Sequence, residues 1–251
     1  MEKQSTFKKI LIGIVILIVG VGAVIGVRYS KQIKKNKNLP ASNSQAVTFE
    51  KIKGPDSAPI KILDFSDFQC PACGTAVSIL ESLMEKYPEK IQLVFKHFPL
   101  RMHVWAPVAH QSAECAAQQG KFWEYYKLIY RNQLVWSALS DPMVSYATYA
   151  NEVGMNMDAF SQCMVDVKIT ERITAEKQEG EALEVKSTPT FFVNGKMFAG
   201  PQELQTGGED FIRKTLGLPP MIKDAPQPQA TLNYASATSP QAEPTAPPKA
   251  E

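Results

Sequence analysis

The sequence predicts an α/β fold in which an all-helical domain is inserted into one sheet, preceded by one transmembrane helix. The first observation is a strand pattern, Ile60-Lys61-Ile62-Leu63-Asp64-Phe65. It runs across a short turn into helical spacing at Ala76, Val77, Leu80, Leu83, Met84 and Tyr87. The second is helical spacing from Ala106 to about Val167. The third is a return to strand character at Phe191-Phe192-Val193. The hairpin signal Asn194-Gly195 and a pairing strand at Met197–Ala199 follow it.

The chain has 251 residues, a net charge of +2 and four cysteines. Removing an apolar N-terminal stretch and a Pro/Ala-rich C-terminal stretch leaves about 170–180 residues, enough for one core-bearing domain. The small net charge gives no reason to expect nucleic acid as a partner. One cysteine pair is local and the other is distant, which favours a redox motif plus a structural bridge over a disulfide scaffold.

Residues 1–9 form a short tail carrying Lys3, Lys8 and Lys9. Ile10 to Val27 carries no charge and is apolar on every face, so it reads as a membrane anchor rather than a buried soluble helix. The rival is a cleaved signal peptide, which would leave an exported protein. Gly20, Gly22 and Ala23 are small but make no convincing A-x-A-like site. The flanks conflict with the cysteines. Arg28, Lys31, Lys34, Lys35 and Lys37 outnumber the lysines before the segment, which alone would hold the domain in the cytoplasm. A second cysteine pair suits an oxidising compartment and places the domain outside it. Residues 28–46 are a polar tether.

The folded domain is expected over 47–218. Val47–Ile52 is an edge strand, Gly54-Pro55-Asp56-Ser57 a turn and Ile60–Phe65 the central strand. Asp64 lies inside that strand. It either faces outward or is a buried acid beneath the cysteines, raised by desolvation and able to relay a proton. Cys70-Pro71-Ala72-Cys73 sits at the strand-to-helix junction, where a C-x-x-C marks thioredoxin-like redox chemistry. Cys70 falls at the helix N-cap with Pro71 at the first helical position. Open backbone N–H groups and the helix dipole favour a thiolate there. Cys70 is therefore the attacking sulfur, and Cys73, a turn further in, the resolving one. Half of a zinc site is the competing reading. Zinc needs four ligands, and the chain offers no second C-x-x-C and three histidines.

Ile91–Phe95 is a second strand. His97 follows it, either tuning the cysteines or without a role, and His103 and His110 carry less signal. The helical insertion covers about 102–168. Phe122, Trp123, Tyr126, Ile129 and Tyr130 make an aromatic stripe better suited to a core than to a ligand groove, and Asp141-Pro142 opens a further helix. Cys115 and Cys163 fall on apolar helical positions. They are either two buried thiols or a bridge tying the first helix of the block to its last, the reading favoured. Lys168–Val185 is a helix leading back to the sheet. Pro189 opens the returning strand and Glu203–Leu216 is the final helix. The segment 219–251 is rich in Pro, Ala, Gln and Ser/Thr and is expected to be a disordered tail.

Four segments together carry a family resemblance. They are Asp64-Phe65-Ser66-Asp67-Phe68-Gln69-Cys70-Pro71-Ala72-Cys73, Lys96-His97-Phe98-Pro99-Leu100, Gln119-Gly120-Lys121-Phe122-Trp123-Glu124 and Thr188-Pro189-Thr190-Phe191-Phe192-Val193-Asn194-Gly195. In this order they resemble DsbA-like thiol:disulfide oxidoreductases, over about Phe49 to Leu216. The resemblance implies a thioredoxin-like fold with an inserted helical domain. It implies Cys70 as nucleophile, Cys73 as resolving thiol, Asp64 as buried acid and Pro189 as a cis-proline facing the disulfide. The Thr188 and Pro189 backbone would pair with a substrate chain. An extra cysteine pair in the insertion, here Cys115 and Cys163, is common among such proteins. The chain departs from the best-known oxidase by Pro-Ala in place of Pro-His between the cysteines, and by Thr188 in place of valine.

The expected activity is disulfide donation to exported proteins with free thiols, by a monomer that needs no cofactor or metal. A membrane redox partner would reoxidise or reduce Cys70 and Cys73. A reductase or isomerase of the same fold is the alternative, and an anchored chaperone or binding protein without redox turnover is the third reading.

Overall fold

The computed structural model describes residues 51–220. The expected tail, anchor and tether, the start of the edge strand and the segment after residue 220 lie outside the described residues. No helix among the described residues is long and apolar enough to cross a membrane.

Five strands form one sheet in the order β1-β3-β2-β4-β5. They are β1 (Ile52–Lys53), β2 (Ile60–Ser66), β3 (Ile91–His97), β4 (Thr190–Val193) and β5 (Lys196–Ala199). β2 is central, parallel to β3 and antiparallel to β4. Helix α1 (Pro71–Lys86) links β2 to β3, as a parallel pair requires. β2 begins with alternating burial and ends with Asp64, Phe65 and Ser66 all buried. Continuous burial means that both faces of the strand are covered at the end leading to Cys70.

One face is covered by the insertion. Helices α2 (Ala106–Gln118), α3 (Phe122–Arg131), α4 (Gln133–Trp136), α5 (Met143–Glu152), α6 (Met157–Cys163) and α7 (Val167–Ala182) lie between β3 and β4. The aromatic stripe is core: Phe122, Tyr126, Ile129 and Tyr130 pack in one cluster with Phe68, Cys70, Cys73 and Phe95. A second cluster joins β2 and α1 to the C-terminal helix through Ile62, Leu80, Leu83, Leu204 and Ile212. The segment 68–73 is thus seated between sheet and insertion.

Several boundaries differ from the sequence pattern, among them the helix expected over Lys168–Val185, which runs over Val167–Ala182 as α7. β3 continues beyond Phe95 to His97, because Ser66 and His97 still pair and Glu176 accepts the His97 N–H at 2.7 Å. The α5 helix starts at Met143, with Pro142 at the capping position. Asp141 Oδ1 still accepts the Met143 N–H at 2.9 Å. The final helix starts at Pro201 rather than Glu203 and is not uniform. An α-helical turn, α8 (Pro201–Glu203), leads into a wider π-type turn at Leu204–Gly208 and then α9 (Glu209–Thr215). Proline at the first helical position needs no N–H partner. Gly200, at φ 86°, makes the turn out of β5 that a side chain would disfavour. Glu209 anchors this helix by accepting from Tyr87 Oη at 2.9 Å and from Lys86 Nζ at 3.1 Å.

Cys115 on α2 and Cys163 on α6 are joined, closing a loop of 48 residues. A loop of that length restricts the unfolded chain by roughly 4 kcal/mol in the chain-entropy treatment. Replacing both cysteines by alanine is expected to lower the free energy of unfolding by about 2–4 kcal/mol in denaturant titrations. A loss below about 1 kcal/mol would show that packing, not the bridge, holds α2 to α6.

Candidate active site

Cys70 occupies the N-cap of α1 with extended backbone (φ −76°, ψ 120°), and Pro71 starts the helix. The Cys70 carbonyl accepts the Cys73 and Gly74 N–H groups at 3.0 and 3.2 Å. It also accepts Gln133 Nε2 at 2.9 Å, and the same amide donates to the Phe68 carbonyl at 2.7 Å. The insertion therefore grips the loop from outside. Cys70 and Cys73 are both free thiols and both buried.

The two sulfurs are strongly unlike. The Cys73 thiol hydrogen-bonded to Cys70 is the main reason that the Cys70 pKa falls to about 5. Burial opposes it, and Thr188 and the Cys73 and Ala72 amides reinforce it. Cys73 is pushed well above an ordinary thiol, first by burial and then by Cys70. The Asp67 N–H points at Cys73 Sγ from 3.4 Å.

Asp64 is buried in the middle of the sheet, opposite Phe95 on one side and Phe191 on the other. Burial raises its pKa to about 7, against the lowering effect of the Ser66 hydroxyl that donates to it. Its charge is among the influences that raise Cys73. The Thr188–Pro189 peptide is cis. Cys70 Sγ lies 3.3 Å from the Thr188 carbonyl oxygen. The Thr188 side chain is buried there too and favours the Cys70 thiolate.

The structure thus brings Asp64, Cys70, Cys73, Thr188 and Pro189 to one place and sets Cys115 and Cys163 apart in the insertion. Among the described residues no group of three or more His, Cys, Asp or Glu side chains is placed to hold a metal ion. His97 is no loop residue. It is buried at the end of β3, against His110 and Glu114. Glu114 and Gln133 have no part in the sequence reading of the site, Asp67 enters it only within the resembling segment, and His110 only as a histidine of less signal. The signal for two of them was present: His110 and Glu114 are four apart on one helix, so they share a face, but pairing that face with Asp67 requires the fold.

A strand-to-helix turn with two unlike thiols, set against a proline-opened strand of the same sheet, is an arrangement suited to thiol–disulfide exchange. A family model described as thioredoxin matches residues 49–209, and the chain belongs to that family. Among solved structures, α-DsbA1 of Wolbachia pipientis is 26% identical, with a TM-score of 0.58 over 66% of this chain and 90% of that one. Oxidised BdbD from Bacillus subtilis is 16% identical, also at a TM-score of 0.58, over 68% of this chain and 95% of that one. A sequence relative, Na(+)/H(+) antiporter NhaA 3 of Salinispora tropica, is 32% identical over 157 residues, which is 61% of this chain. The match spans 23% of the antiporter's length.

Proposed function

We propose that this protein donates disulfides to exported proteins through the Cys70–Cys73 pair. The observation that carries the reading is the placing of the pair, with Cys70 at the helix N-cap, 3.3 Å from the Thr188 carbonyl oxygen, and Cys73 buried behind it, which lowers the Cys70 pKa and raises that of Cys73. A stabilised Cys70 thiolate stabilises the reduced form, which makes the disulfide form the stronger oxidant.

In the proposed cycle a substrate thiolate attacks Cys70 Sγ. The Cys70–Cys73 bond breaks and its electron pair goes to Cys73. Asp64, poised near neutrality, supplies the proton that this buried sulfur needs. A second substrate thiolate attacks the substrate sulfur of the mixed disulfide, which releases Cys70 as a thiolate and leaves the substrate oxidised. The two electrons remain on the pair until a membrane redox partner removes them. The Thr188–Pro189 backbone, beside Cys70, would hold the substrate chain by strand-like pairing. Residues 10–27 would anchor the domain (47–218) outside the cytoplasm, with removal of that segment as the alternative. The bridge between Cys115 and Cys163 agrees with an oxidising compartment.

The deciding measurement is the reduction potential of the pair in a glutathione series. The expected value is well above that of thioredoxin, roughly −270 mV. A value at or below thioredoxin's would refute donation and make the protein a reductase. Cys70→Ser is expected to abolish exchange. An absence of any redox change in the native sequence would leave only the binding-protein reading.

A further inference from the structure

A buried polar chain runs from the end of β3 to the loop ahead of Cys70, and none of its side chains touches a reacting sulfur. Phe68 is fully buried, and its N–H points at His110 Nε2 from 3.3 Å. A buried amide needs an acceptor, so Nε2 carries no proton. His110 Nδ1 therefore does, and donates across 2.6 Å to His97 Nδ1. That leaves the proton of His97 on Nε2, 3.0 Å from Glu114 Oε2. The same oxygen accepts Lys51 Nζ at 2.8 Å. Lys51 also meets Glu176 at 2.6 Å, and Arg172 Nη1 lies 3.5 Å from Glu114 Oε1. The bonds run in one direction, through two neutral imidazoles, into a buried ion-paired carboxylate. Burial first, and Lys51 second, hold His97 near 4, and burial lowers His110 as well. The chain therefore keeps its polarity at neutral pH.

Beside it, Asp67 Oδ1 is 3.7 Å from His110 Nε2, too far for a hydrogen bond. The Asp67 carboxylate is occupied elsewhere. It accepts the Gln69 and Leu100 N–H groups, each at 2.7 Å, and His103 Nδ1 lies 2.8 Å away. Asp67 and Phe68 are consecutive, so the Phe68 anchor also sets the direction of the Asp67 N–H, the one aimed at Cys73 Sγ.

We infer that His110 is a positioning residue for Cys73: through Phe68 it holds the Asp67 amide on the resolving sulfur. The inference rests on the proposed roles of the two cysteines. When a thiolate attacks Cys70, the electron pair of the broken Cys70–Cys73 bond arrives on Cys73, where the Asp67 N–H meets it. In reverse, the Cys73 thiolate attacks Cys70 of a mixed disulfide. The Cys70–Cys73 bond re-forms and the departing sulfur leaves as a thiolate.

The test uses the full chain carrying glutathione on Cys70, with release of glutathione followed in time. His110→Phe keeps a ring but offers Phe68 no acceptor. It is expected to slow release about tenfold and to raise the Cys73 titration, read by thiolate absorbance in a Cys70→Ser background. The Cys70 titration, read in a Cys73→Ser background, is expected to stay in place. His110→Gln can accept from Phe68 and donate to His97, and is expected to restore most of the rate. If His110→Phe does not fold, Glu114→Gln serves instead. It weakens the end of the chain and is expected to slow release about threefold. Unchanged release, equal shifts of both cysteines, or no rescue by glutamine would overturn the inference and leave His110 as core packing. Glutathione found on Cys73 of the native protein would instead overturn the assignment of the two sulfurs beneath it.

Discussion

Alkylation of the reduced protein is expected to be independent of pH above about pH 6 and to fall away only as the pH drops through about 5, with Cys70 as the residue modified. An ordinary thiol, with a pKa of about 8.5, instead gains tenfold per pH unit until it ionises. The comparison has a second side, because nucleophilicity falls with pKa at a Brønsted slope of about 0.4–0.5. A thiolate held some 3.5 units low is then about fortyfold less nucleophilic than an ordinary one. At pH 5 its greater ionisation outweighs that loss and Cys70 reacts about fortyfold faster than a peptide cysteine. Near pH 7 the two rates cross, and above it Cys70 is the slower. Cys73 contributes nothing in this range, since burial raises it far above neutrality, so Cys70→Ser is expected to remove the reaction. A rate that climbs through pH 8 would show that Cys70 is not held as a thiolate by Cys73 and the neighbouring donors. The linkage has a definite sign. A depressed pKa in the folded, reduced state stabilises that state fully above the unfolded thiol's pKa, and the effect is lost as the pH falls through about 5. Each pH unit of depression adds about 30 mV to a two-electron potential, the direction that disulfide donation needs.

The part of this site that could be read along the chain is the part built from local signals. A strand pattern broken by Cys70-Pro71 marks a helix start, and proline at that position has one backbone reason to be there. Asn194-Gly195 gives the hairpin by the same kind of argument, with both residues at positive φ. Asp64 could be singled out because a carboxylate within an apolar strand is either exposed or perturbed, and the continuous burial at the end of β2 decides between the two. The network around His110 was beyond reach for a physical reason. Apart from His110 and Glu114, which share α2, its members Lys51, Asp67, His97 and Glu176 come from separate parts of the chain. Each alone is an ordinary polar residue, and their burial is a property of the packed insertion. The final helix shows a different failure. Helical spacing through Leu204 and Ile212 is sound, but it does not register the extra residue that turns Leu204–Gly208 into a π-type turn.

Asp64→Asn is expected to make the reduced protein more stable at pH 8 and slower in exchange. Burial lifts the Asp64 pKa from 3.8 to about 7. Between those values the folded state binds a proton that the unfolded state has released, so stability falls as the pH rises from about 4 to 7 and the full penalty is present above it. A shift of that size corresponds to about 4 kcal/mol at pH 8, as an upper figure. Asparagine never ionises and can still accept from Ser66, so it escapes the penalty while keeping the hydrogen bond that Asp64 accepts. Denaturant titrations at pH 5 and pH 8 check this. The gain should be about 1.7 kcal/mol at the lower pH and about 4 kcal/mol at the higher, and an equal gain at both would show that Asp64 is not held at a raised pKa. The cost falls on Cys73. A sulfur with 2% of its residue surface exposed must gain and lose a proton in each cycle, and an asparagine cannot carry one. Opening and closing of the mixed disulfide at Cys70 is therefore expected to slow by a factor of about ten or more near pH 7. The loss should shrink as rising pH lets solvent hydroxide take over the proton. A variant both more stable and as fast as the native protein would remove Asp64 from the chemistry. The opposing changes in stability and rate are what a buried acid kept for proton transfer requires, since the strain that makes it reactive is also what its replacement relieves.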